Sequence, residues 1–250
     1  MANPMLSGQI VVDASNKWID YKIAAGAATS VAIATATYTD VFALLVAIAV
    51  ALGANFSIGF STVAALAGKF TVYYSGGGGN LTLMWATGTH TGINAGTLMG
   101  FNVAADDSGG IFYAADYQAP DVWLSTRPPA RDTLHWAPQI VPGGKVWRSL
   151  SGSNSKQVII DSRRAREIEF QELPPEIIWL DTAIGAHLNR DFETFLVEHR
   201  AEKIAYYPDQ TSNTHVHCFL VEPGDMVEQF SRPHVGIETW NFKLILHRAE

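Results

Sequence analysis

The residues best suited to chemistry in this chain form the tetrapeptide "HVHC", His215 to Cys218. On a strand, side chains two apart leave from the same face. His215 and His217 would therefore stand side by side, at a spacing that suits imidazole ligation of a metal ion. Cys218 would leave from the opposite face; within an apolar strand it reads as core rather than nucleophile. A third ligand would have to come from His234, His247 or Asp209, and nothing in the sequence places any of these beside the pair. The expectation is that His215 and His217 lie on a solvent or interface face and hold no required metal. His135, His187 and His199 are isolated in sequence and point to no chemistry.

The carboxylates are no more suggestive. Asp106–Asp107 and Glu167/Glu169 are pairs, but a general acid and base need a cleft and a raised pKa, and such pairs more often mark a solvated turn or strand face. The run Gly76–Gly79 lacks the Lys-Ser/Thr pair and following helix of a phosphate-binding loop; a strand follows it, so it reads as the turn of a hairpin. No nucleophile elbow or Ser-His-Asp order is legible. The sequence therefore predicts no enzyme, with no catalytic, cofactor-binding or metal residues.

The elements that would position these residues show a marked asymmetry. The 250 residues carry a net charge of −7, one cysteine and no basic footprint for nucleic acid. Residues 1–110 hold only eight charged side chains: Asp13, Lys17, Asp20, Lys22, Asp40, Lys69, Asp106 and Asp107. Within that stretch, Val41–Leu52 is twelve apolar residues in succession. Twelve helical residues are too short for a bilayer, which needs about twenty, so no membrane anchor is expected. Nor is an export signal expected in residues 1–8, which carry no positive charge. The run reads as a buried helix with Thr39 or Asp40 as N-cap and Gly53 as C-terminal stop. Ala43, Ala47 and Ala51 would lie close against a sheet. A helix apolar all round must be covered all round, which points to burial by other copies or other proteins.

The fold class predicted is α+β, mainly β. Short strands are expected at "GQIVV", "KWIDYKI", "TSVAIATATY" and "NFSIGF", then a hairpin "GKFTVYYS"–"GGGGN"–"LTLMW", and a helical turn closed by Gly100. A proline-rich stretch with Trp123 and Trp136 reads as a connection. Beyond it, strands are expected around "DSRR", at "KIAYY", "THVHCFLVE" and "ETWNFKLILHR", with a helix carrying Leu188, Phe192, Phe195 and Leu196. Trp240, Phe242, Leu244 and Leu246 would share one face of the last strand. The division expected is 1–116, a charge-poor α+β assembly domain; 117–145, the connection; and 146–250, a β domain.

Two stretches resemble structural proteins of tailed bacteriophages. Gly68–Gly110 carries Leu83–Trp85, Leu98–Phe101 and Asp106–Asp107, similar to a hairpin, short helix and acidic turn found in tail and baseplate proteins. Asp191–Arg248, with a corner at Tyr206–Asp209 and a closing strand from Trp240, resembles the tail-tube-like domain of distal tail proteins. The resemblance implies a C-terminal tail-tube-like β-sandwich or barrel with a packed helix. It implies a homo-oligomeric ring, expected to be a hexamer, which joins the tail tube protein to tail-tip hub or fibre proteins. Such a protein is made in the host cytoplasm and resides in the virion tail. The competing readings are a receptor- or carbohydrate-binding tail module that uses Trp123, Trp136 and Trp147, and a metal-dependent enzyme centred on His215 and His217.

Overall fold

The computed structural model describes residues 3–62, 66–125, 129–136, 139–140, 146–148, 154–156, 160–161, 164–173, 195, 198–199, 202–212, 214–220, 227–230 and 239–248. The chain opens with strands β1 (Met5–Ser7), β2 (Ile10–Val12), β3 (Trp18–Ile23), β4 (Thr29–Ala32) and β5 (Ala36–Tyr38), followed by helix α1 (Val41–Leu52). Then come β6 (Phe56–Ser61), β7 (Lys69–Tyr74), β8 (Leu81–Leu83), the single turn α2 (Gly96–Met99), β9 (Asp107–Gly110) and β10 (Phe112–Ala114). The fold is mainly β, and every pairing between named strands is antiparallel.

Helix α1 forms where the sequence places it. Asp40 caps it: its Oδ1 accepts from the N–H groups of Phe42 (2.9 Å) and Ala43 (3.0 Å). Ser7 Oγ on β1 accepts a third free N–H, that of Val41, at 2.9 Å. Donors left over at a helix start are thus satisfied, and one of them ties α1 to a strand. At the other end Gly53 takes φ +85° and donates to the Ala49 carbonyl, a conformation that a side chain would oppose. The buried face is Val41, Leu44, Ile48 and Leu52, not the alanine stripe, which lies half-buried beside it. The expected all-round burial is not met within the chain: Val46 is 60% and Val50 78% exposed.

Two other expectations are corrected. "TSVAIATATY" is not one strand; β4 pairs with β3, while β5 pairs with β2 in a separate sheet. The glycine run does not close a hairpin. β7 lies between β6 and β10, whereas β8 lies between β3 and β9. Gly77, Gly78 and Gly79 have positive φ and carry the chain from one sheet to the other. Local glycine content sets a change of direction but not the partner, and here partners come from far along the chain.

The later strands are β11 (Val122–Leu124), β12 (Arg131–Trp136), β13 (Gln139–Ile140), β14 (Val146–Arg148), β15 (Asn154–Lys156), β16 (Ile160–Asp161), β17 (Arg164–Leu173), β18 (Lys203–Tyr207), β19 (Val216–Leu220), β20 (Val227–Phe230) and β21 (Thr239–Arg248). An eight-stranded sheet runs β11-β1-β18-β19-β21-β17-β12, with β20 also on β21. Beyond it, Arg131↔Glu169 through Trp136↔Arg164 continues in the same register as Gln139↔Asp161 and Ile140↔Ile160, and then, with the register shifted by two, come Val146↔Lys156 through Arg148↔Asn154.

Strand pairing crosses the expected domain boundaries. β1 comes from the first stretch, β11 and β12 from the proline-rich one, and β17 to β21 from the last. β1 is buried on both faces. Met5, Val122, Leu124, Ala205 and Tyr207 join the core built on α1 and the small sheets; Leu6, Trp123, Ile204 and Tyr206 are buried on the other side. Trp123, paired with Leu6, is therefore not offered to solvent for sugar stacking. The side chains of Trp136 and Trp147, and the helix residues Leu188, Phe192 and Leu196, lie outside the described residues; Phe195 is buried. Of the predicted apolar face of β21, Leu246 is buried. No helix among the described residues is long and apolar enough to cross a membrane.

Candidate functional site

The capped end of α1 meets the edge of "HVHC". Cross-strand partners share a face, and His217 lies opposite Ala205 on β18, on the side of the α1 core. Cys218, opposite Ile204, is buried on the other side, so the two faces separate as the sequence predicts. His215 sits just before β19, not on it. Its Nε2 nonetheless lies 3.3 Å from His217 Nε2. The third group is Asp40, the N-cap of α1. One ligand atom from each of Asp40, His215 and His217 falls within 4.8 Å of the others. Of the sequence's own candidates for a third group, Asp209 is tied into its own turn, accepting from Thr211 N–H and hydroxyl. His234 and the His247 side chain lie outside the described residues.

The surroundings of this triad are half polar. Asp40 is 4% exposed, and its Oδ2 also accepts from the Thr39 hydroxyl at 2.9 Å. His217 is held below its ordinary pKa, chiefly by burial and then by the neighbouring His215, so it favours the neutral imidazole. Tyr207 packs its ring 5.0 Å from that of His215. Its buried hydroxyl reaches toward the Asp40 carboxylate. Burial first, and the Asp40 charge second, push its pKa far up.

The motifs that carried the first resemblance also converge. Trp85 is fully buried, with its ring 5.2 Å from that of Phe101, and its Nε1 donates to Asp107 Oδ2 at 2.9 Å. Asp106 accepts from the Ala86 and Thr87 N–H groups and from the Thr87 hydroxyl. The acidic pair is thus a lock on the turn after β8 rather than a solvated face. Burial raises the pKa of Asp107, helped by the charges of Asp116 and Asp106.

Two histidine–carboxylate contacts were invisible in the sequence. Asp20, 2% exposed, accepts from His90 N–H at 2.7 Å, and its Oδ1 lies 2.9 Å from His90 Nδ1. The His90 ring stacks on Trp18 at 4.0 Å. His199 is buried between Glu202 (Nδ1, 3.0 Å) and Asp121 (Nε2, 3.4 Å), against Gly8, where any Cβ would collide with the imidazole. The Ser30 hydroxyl on β4 also hydrogen-bonds to Asp20, and both contacts join distant segments. Only the three-dimensional pairing of β1 with β11 and β18 could have found the second.

His199 yields a pH prediction. Burial alone would lower its pKa, but Asp121 and Glu202 outweigh it and raise the value above 6.5. Stability from the charged form is then fully present below about pH 6.5 and is lost as pH rises through the raised folded value. His199→Gln should cost about 1.5–3 kcal/mol in the acid range, as expected for hydrogen bonds to a charged group. The gap in melting temperature between wild type and variant should narrow from about pH 6 to about pH 9. An equal gap at both ends would show that no imidazolium is held there.

No protein-family model matches the chain, and no curated protein matches it.

Proposed function

We propose that the chain is a structural component of a tailed-phage virion, of distal-tail or baseplate type, which assembles into a ring between the tail tube and the tail tip. The observation that carries the assembly reading is the outer face of α1. Val46 and Val50 stand one turn apart and largely exposed, on a helix without a charged residue. Val11, Tyr73, Ile111 and Phe112 add further exposed apolar surface within the same charge-poor half. Surface of this kind marks an interaction site. In a closed ring of identical subunits, one patch meets its complement on the next copy. The phage assignment is supported by the two sequence resemblances and agrees with the antiparallel, mainly β architecture. On this reading the eight-stranded sheet and the strand pairs beyond it are the tail-tube-like part. The tail tube protein and a tail-tip hub or fibre protein are the expected neighbours.

The test is the mass of the full chain in solution. Wild type should form a closed oligomer at micromolar concentration, and Val46→Lys/Val50→Lys should shift it to monomer with circular dichroism unchanged. A wild type that stays monomeric at high concentration would remove the ring. Imaging of virions with an antibody to the chain would test the location.

A further inference from the structure

We propose that Asp40, His215 and His217 form a binding site for a divalent metal ion of the zinc class, which fastens the N-terminus of α1 to β19. The argument begins with geometry. Two imidazole nitrogens that share a tetrahedral zinc, at Zn–N distances of about 2.0–2.1 Å, sit about 3.3–3.4 Å apart; the two Nε2 atoms here are 3.3 Å apart. The carboxylate of Asp40 lies within 4.8 Å of both. Two imidazoles and one carboxylate suit zinc, nickel, cobalt or copper, whereas magnesium and calcium prefer an all-oxygen shell.

The carboxylate is already oriented. Phe42, Ala43 and Thr39 all donate to it, as outer partners of a ligand do. The buried Tyr207 hydroxyl reaches toward the same Asp40 carboxylate, and its ring lies 5.0 Å from that of His215, so it walls one side of the cluster. His215 is exposed, so an ion can enter from solvent. The ligands join segments far apart in the chain, so the ion would act as a clasp between the α1 core and the large sheet. This inference stands independently of the phage reading.

The test uses the full chain, stripped with chelator and titrated with cobalt(II) alone. Wild type should develop the intense visible absorption of four-coordinate cobalt at one ion per chain, abolished by one equivalent of zinc. Zinc should also raise the melting temperature. His215→Gln and His217→Gln should lose the spectrum. Asp40→Asn is the informative variant, because asparagine caps a helix as well as aspartate but lacks the ligand charge; it should fold normally and bind at least about tenfold more weakly. No four-coordinate spectrum in wild type, or the same affinity in His217→Gln and Asp40→Asn as in wild type, would overturn the proposal.

Discussion

Trp85→Ala should lower the stability of the chain by about 3–5 kcal/mol, the cost of emptying a large aromatic site in a packed core. Trp85 is fully buried, borders Phe101, and spends its one polar atom on Asp107. Alanine removes the ring and leaves Asp107, already disfavoured as an anion by burial and by its acidic neighbours, without its donor. Trp85→Phe keeps most of the volume and loses the N–H, so it should lie between. Urea unfolding at neutral pH measures both. A Trp85→Ala loss below about 1 kcal/mol would mean that the site collapses around the cavity.

The second large effect separates the two faces of α1. Ile48 is fully buried, and aspartate there would place an unpaired charge in the core at a cost of several kcal/mol; Ile48→Asp should not accumulate as folded protein. Val50 is two positions along and 78% exposed. Val50→Lys should change monomer stability by no more than about 0.5 kcal/mol, since a cation near a helix C-terminus is favourable, and should act on assembly alone. Soluble yield and far-ultraviolet circular dichroism read the first variant, and sedimentation the second. Normal folding of Ile48→Asp would place the packed face elsewhere.

The contrast between these two positions also shows what could be read without a structure. α1 was legible to the residue because its signals are local: a capping aspartate, twelve apolar residues and a glycine that accepts positive φ. Which face is packed was not legible, since an apolar helix has no polar side to give it away. The same limit explains the glycine run. Gly76–Gly79 announces a turn, but whether the next strand folds back on the last depends on β3 and β6, which no local pattern specifies. The fate of "HVHC" divides in the same manner. Alternation correctly put Cys218 opposite His217. The third member of the cluster was out of reach, because Asp40 looks like a helix cap and is one; its second neighbourhood arises only when β18 and β19 pack beneath α1. The alternating strands β19 and β21 were readable, but the place of β1 between β11 and β18 was not, since three residues carry too little pattern to show burial on both faces.

That inserted strand has a consequence for how the protein is made. At a synthesis rate of roughly 5–20 residues per second, the interval between the emergence of Met5–Ser7 and that of their partners Ala205–Tyr207 is roughly 10–40 s. Until then β1 has at most β11 to pair with, and the interior strand of the finished sheet is a free edge. Such edges recruit other chains, and long-range pairings form slowly. The nascent chain therefore passes through a period in which its N-terminal half has its apolar residues in place and its sheet still open. During that period the open edge faces neighbouring nascent chains on the same polysome, which carry the same edge.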